Sequence, residues 1–114
     1  NLDYLDLSDN KFTEFPEVIT QITNLTYLIM SGNLIKTVPE SIGKLTNLEG
    51  LFFHECGLKI LPKSLGTLKK LEKINIKSNS LRRNDKNTQQ ALIGMYKNGC
   101  KIMDDSYRGD DYDR

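Results

Sequence analysis

His54, Glu55 and Cys56 are consecutive, and they form the densest group of side chains here with acid–base, metal-binding or nucleophilic capacity. A Cys–His pair does covalent chemistry only if both reach one substrate atom, a third group orients the imidazole and donors hold the oxyanion. The local spacing argues against that convergence: His54 and Glu55 are expected to point outward and Cys56 inward. The chain has one His, which excludes a multi-histidine metal site. Asp104, Asp105, Asp110, Asp111 and Asp113 supply oxygen ligands of the kind Ca²⁺ takes, but without the spacing of a calcium loop, so they read as a solvated acidic tail. Lys69, Lys70, Lys73, Lys77, Arg82, Arg83 and Lys86 could meet phosphates, yet no aromatic residues are interleaved for base stacking. An acidic protein or the chain's own tail is the better match. Asn24-Leu25-Thr26 fits a glycosylation acceptor, at a strand entry expected to be tightly packed. No catalytic residue, metal site or cofactor is nominated, and nucleic acid is not expected as a partner.

The elements that must position these residues are set by a 23-residue period. Leu2-x-x-Leu5-x-Leu7-x-x-Asn10 recurs as Leu25-x-x-Leu28-x-Met30-x-x-Asn33, as Leu48-x-x-Leu51-x-Phe53-x-x-Cys56, and as Leu71-x-x-Ile74-x-Ile76-x-x-Asn79. Pro16, Pro39 and Pro62 fall in register between them. A repeat of this length means a solenoid, in which neighbouring units bury a shared core and none is stable alone.

The chain resembles leucine-rich-repeat proteins over residues 2 to about 83, through the L-x-x-L-x-L-x-x-N/C signature. The second half of each unit is similar to the L-P-x-x-I-x-x-L subtype: Phe15-Pro16 with Ile19 and Ile22, Val38-Pro39 with Ile42 and Leu45, Leu61-Pro62 with Leu65 and Leu68. That subtype occurs in short bacterial proteins, spirochaetal ones among them, and in eukaryotic signalling scaffolds. The segment Gln89–Ile93 through Cys100–Ile102 is similar to the ends of the short bacterial members. The resemblance implies a non-enzymatic protein-interaction module.

The expected fold is an α/β leucine-rich-repeat solenoid, a curved horseshoe segment. Strands alternate faces with period 2, so the second and third leucines of each frame point inward and their neighbours outward. One strand per repeat builds a parallel sheet on the concave side. The Pro followed by three-residue apolar spacing predicts short helical or 3₁₀ turns on the convex side. Asn10, Asn33, Cys56 and Asn79 should stack as a ladder that satisfies turn backbone groups. Three full repeats and one partial repeat, beginning near 2, 25, 48 and 71, occupy residues 1–83. Ala91, Leu92, Met95 and Tyr96 give an apolar stripe at helical spacing. Residues 84–103 therefore read as a C-terminal cap, a helix over 85–97 and a short strand after it, and 104–114 as an acidic flexible tail. Cys56 and Cys100 are expected to be free thiols.

Reading outward positions across the strands gives Tyr4, Tyr27, Gly50 and Lys73; then Asp6, Ile29, Phe52 and Asn75; then Ser8, Ser31, His54 and Lys77; with Asp9, Gly32, Glu55 and Ser78 beside them. Ile29 and Phe52 are large apolar residues where the frame demands exposure. With Tyr4 and Tyr27 they form an apolar centre, and Asp6, Asp9, His54, Glu55 and Lys77 give it a polar rim, the anatomy of a protein interface. Tyr4, Asp6, Tyr27, Ile29, Phe52, His54, Glu55, Asn75 and Lys77 are the nominated site for a protein or peptide partner. Scattered exposed hydrophobes of no consequence are the alternative.

Charge is distributed unevenly. The formal net charge is +1, but residues 1–55 hold eight acids and three bases, residues 56–103 eleven bases and two acids, and residues 104–114 five acids and two bases. A solenoid keeps sequence order along its axis, so this becomes an acidic end and a basic end, able to steer a charged partner or simply to be solvated. No apolar run approaches the roughly 18 residues that insertion in a membrane needs, and no signal peptide is visible. The compartment is left open, export included. The chain starts within a repeat at Asn1, which leads to the expectation of missing upstream sequence. An exposed first edge also supports a second reading, a structural unit that self-associates through its N-terminal repeat.

Overall fold

The computed structural model describes residues 3–105. Five three-residue strands form one parallel sheet in sequence order: β1 Tyr4–Asp6, β2 Tyr27–Ile29, β3 Gly50–Phe52, β4 Lys73–Asn75 and β5 Lys101–Met103. The register follows the repeat, with Leu5 beside Leu28, Leu28 beside Leu51 and Leu51 beside Ile74. Ile102 of β5 lies next to Ile74 but follows it by 28 residues, because α1 (Lys86–Lys97) is inserted where a return turn would stand.

Three 3₁₀ turns, Glu17–Gln21, Glu40–Lys44 and Lys63–Thr67, line the opposite side. Each starts from an extended Pro, whose fixed φ and missing N–H suit a helix start. The carbonyls of Pro16, Pro39 and Pro62 accept from the amides of Ile19, Ile42 and Leu65 at 3.0, 3.1 and 3.2 Å. A 3₁₀ turn is short and narrow, so the wider sheet rows and slimmer return turns share one layered core. That core stacks Leu25, Leu48 and Leu71, then Leu28, Leu51 and Ile74, then Met30, Phe53 and Ile76, all buried.

Neighbouring turns are also tied by side chains. The Glu40 carboxylate accepts from the amides of Lys63 and Ser64 at 3.2 and 3.1 Å, and Ser64 Oγ donates to the Glu40 carbonyl. One repeat earlier, Ser41 Oγ donates to the Glu17 carboxylate.

Asp85 precedes α1 and accepts from the Thr88 amide at 2.9 Å, an N-cap that satisfies a helix-end donor. Ala91, Leu92 and Met95 are buried against the third 3₁₀ turn. Gly94 abuts Gly66 there: a Cβ on Gly94 would sit 2.7 Å from Gly66 Cα. The helix stops at Gly99, whose φ is +83°. The first repeat is less enclosed than the others, with Leu5, Leu7 and Phe12 only partly buried. Leu2, and the acidic segment from residue 106 with Asp110, Asp111 and Asp113, lie outside the described residues.

Asp104 and Asp105, which precede that segment, are both engaged. Asp104 pairs with Arg83, and Asp105 Oδ2 accepts from the Ser78 amide at 2.7 Å. Both follow directly from β5, which delivers them to the basic end of the sheet.

Candidate partner-binding face

Strand pairing puts two rows of outward residues side by side. The first runs Tyr4, Tyr27, Gly50, Lys73 and Lys101; the second runs Asp6, Ile29, Phe52, Asn75 and Met103. In a parallel ladder, paired residues share a face, so this is one continuous surface.

Gly50 shapes its centre. A Cβ built there would lie 2.5 and 2.6 Å from Tyr27 ring carbons and 3.0 Å from a Phe52 ring carbon. The missing side chain is therefore what lets the Tyr27 ring lean over β3 beside Phe52. Tyr4 is 54% exposed and stands against Tyr27, with ring centroids 6.2 Å apart and planes tilted 43°. Lys73 Nζ lies 6.0 Å from the Phe52 ring centroid, at cation–π range. Tyr4, Tyr27, Phe52 and Lys73 thus make an aromatic stripe that ends in a cation. Ile29, Phe52 and Tyr27 are half-buried on this face, and the Tyr27 and Phe52 rings both lie over Gly50.

The rim is partly self-engaged. Asp6 Oδ1 accepts from the Ser8 amide at 3.0 Å and from Ser8 Oγ at 2.6 Å, and these two bonds, the hydroxyl's first, hold the carboxyl below its ordinary range. Asn75 Oδ1 accepts from the Lys77 amide at 3.1 Å in the same geometry. Lys77 and Glu55 are exposed, while His54 is half-buried, with Nδ1 enclosed and lacking a hydrogen-bond partner among the described residues.

Beneath the face, the ladder is complete at two rungs. Asn33 Oδ1 accepts from the amides of Asn10 and Phe12 at 3.0 and 2.9 Å, and its Nδ2 donates to the carbonyls of Leu7 and Met30 at 3.0 and 2.8 Å. Asn79 repeats this for Cys56, Leu58, Phe53 and Ile76. Cys56 fills the rung between them and donates its thiol to the Met30 carbonyl at 3.1 Å. Burial pushes the Cys56 thiol up, against the opposing pull of the Asn33 and Gly32 amides. Burial pushes Cys100 up to about 12. Both are free and buried, so neither is a ready thiolate. Cys56 points into the core while His54 and Glu55 lie at the surface, so the three do not converge on one atom.

The nine nominated residues are thus carried on or beside one sheet face, Tyr4, Tyr27, Ile29 and Phe52 near its centre. Four contributors were not nominated. Gly50 has a sequence signal, since a Gly inside a strand marks a close approach. Lys73 stood in the outward row. Lys101 and Met103 depend on the 28-residue step to β5, which no repeat frame indicates. Among the described residues no helix is long and apolar enough to cross a membrane.

The sequence matches the family model for the leucine-rich repeat region over residues 1–104. No curated protein matches it. Among solved structures it is similar to an internalin (InlF) of Listeria monocytogenes, with 21% identity and a TM-score of 0.63 over 82% of this chain and 26% of that one. It is similar to the leucine-rich repeat domain of the type III effector XopL, with 18% identity and a TM-score of 0.66 over 89% and 35%. A leucine-rich repeat protein of Leptospira interrogans aligns with 27% identity and a TM-score of 0.57 over 87% and 30%. The aligned region spans about a quarter to a third of each of those chains.

Proposed function

The chain belongs to the leucine-rich repeat family, and we propose that it is a non-enzymatic interaction module that binds a protein or peptide through the concave face of its sheet. The observation that carries this reading is the aromatic stripe of Tyr4, Tyr27 and Phe52 on adjacent strands, opened by Gly50 and ended by Lys73. Aromatic groups at the centre of a patch with a polar rim are the residues that dominate binding energy. The backbones of β2, β3 and β4 are paired on both sides, so recognition over them falls to these outward side chains.

The test compares two charge insertions. Phe52→Asp strikes the stripe. Val18→Asp inserts the same charge on the return side, where Val18 is 65% exposed. Binders selected from a displayed random-peptide library against the parent chain should lose more than ~2 kcal/mol of affinity on Phe52→Asp and bind Val18→Asp as before. Equal binding to a folded Phe52→Asp variant overturns the concave-face reading.

A second reading rests on the partial exposure of Leu5, Leu7 and Phe12 beside β1, whose outer edge pairs with no strand among the described residues. An open edge accepts another strand, either from a preceding repeat of the same protein or from a second copy. Sedimentation across a hundredfold concentration range tests the second copy: a constant monomer mass sinks it.

A further inference from the structure

Resting on the concave-face reading, we infer that the partner is a protein segment in extended conformation that carries an acidic side chain two residues from a large apolar one. The apolar group sits on Tyr27 and Phe52 over Gly50, and the carboxylate meets Lys73 and Lys101.

Two observations fix the carboxylate end. Lys73 and Lys101 are exposed and in register on neighbouring strands. Like charges directly opposite one another are unfavourable, and an anion between them relieves that repulsion. Among the described residues no carboxylate forms an ion pair with Lys73, Lys77 or Lys101, whereas Arg83 is engaged by Asp104. The other end of the face carries Asp6, with Asp9 beside it, both exposed. An acidic group is therefore repelled at β1 and attracted at β4 and β5, which sets the strands over which the acidic side chain lies.

The spacing follows from sheet geometry. Strands lie about 4.8 Å apart, so the step from Gly50 on β3 to the midpoint of β4 and β5 is about 7 Å. An extended chain advances about 3.3 Å per residue and returns to the same face every second residue. An apolar and an acidic residue separated by any one residue, in either order, is the pattern that spans this step. Lys73 serves both halves, because its amine also lies over the Phe52 ring.

The test is selection on the immobilised full chain from a random linear peptide library displayed without a free carboxyl end. Enriched peptides should share the apolar-x-acidic pattern, in either order. The best of them, synthesised as an amide, should bind about tenfold more tightly than its Gln or Asn counterpart, and added salt should shrink that gap. A Lys73→Gln, Lys101→Gln double variant, checked for folding by circular dichroism, should bind both forms alike. Enriched peptides without an acid, a gap that persists in the double variant, or no enrichment at all would overturn the inference. If acid-free binders are lost on Phe52→Asp, the concave-face reading survives alone; if binders keep their affinity for that variant, the face itself is wrong. Binding seen only after Asp110→Asn, Asp111→Asn and Asp113→Asn together would make the chain's own acidic segment the occupant, and the partner proposal would fall.

Discussion

The inward and outward sides of the same strands follow different rules. Inward, the rows are Leu5, Leu28, Leu51, Ile74 and Ile102, then Leu7, Met30, Phe53 and Ile76, apolar at every step. Outward, one row changes from Tyr4 and Tyr27 through Gly50 to Lys73 and Lys101, and the next from Asp6 through Ile29 and Phe52 to Asn75 and Met103. The return side repeats as the interior does, with Pro16, Pro39 and Pro62 starting each 3₁₀ turn. Repetition falls on residues whose contacts recur in every layer. Variation falls where the neighbour is solvent, so one repeat can carry a ring, the next a gap for it, and the next a charge.

The largest effect should separate two adjacent phenylalanines. Phe53 is fully buried, with its ring 6.2 Å from that of Phe15. Phe53→Ala should cost about 3–5 kcal/mol, the lost transfer energy plus the cavity. Phe52→Ala should cost less than about 1 kcal/mol, since its ring is half in solvent and touches outward neighbours. Urea unfolding of both variants measures the difference. Equal losses would mean that the outward stripe is a second core rather than a surface.

The ladder draws the contrast again, at smaller scale. Asn33 is buried and serves four backbone groups. Asn33→Ala should cost about 2–4 kcal/mol, because groups left unpaired in the interior lose their hydration as well. Cys56→Ala should cost about 1 kcal/mol, since the weak thiol donor supplies one short contact. A Cys56 loss as large as that of Asn33 would show that the thiol matches an amide in this rung.

The sequence legibility of this molecule tracks how local its causes are. Leu28, Leu51 and Ile74 were assignable to one buried row because period 2 and the 23-residue step suffice. The stacking of Asn33 and Asn79 was legible for the same reason. Placement of Tyr4, Asp6, Tyr27, Ile29, Phe52 and Asn75 on one face needed only alternation. What could not be read were contacts between elements outside the frame. Tyr27 leaning over Gly50 depends on side-chain packing across a strand pair. Lys101 beside Lys73 depends on the length of α1. Thr88 Oγ accepting from the Leu61 amide at 2.9 Å, and Gly94 against Gly66, depend on how α1 docks. The particular contacts of Asp104 with Arg83 and of Asp105 with Ser78 could not be read either, because the partners come from a different part of the chain.

The smallest effect concerns backbone shape at the outward turn. Asp9, Gly32, Glu55 and Ser78 occupy the same frame position, and all four have left-handed φ, at +58°, +75°, +59° and +59°. A residue with a Cβ pays about 1–2 kcal/mol there, while glycine adopts it freely but loses more chain entropy on folding. Relief of strain at Glu55 should outweigh that entropy, because its side chain is exposed and forms no ion pair among the described residues. Glu55→Gly is therefore expected to raise stability by up to about 1 kcal/mol. Gly32→Ala is the matched reversal and should lower it by a similar or larger amount: its new Cβ would be strained and would lie 1.9 Å from an Asp9 carboxylate oxygen, forcing that side chain to move. Thermal and urea melts of the two variants read the sign directly. A loss on Glu55→Gly would mean that the Glu55 side chain contributes to the fold, and that at this position the outward side holds the molecule together as the inward side does.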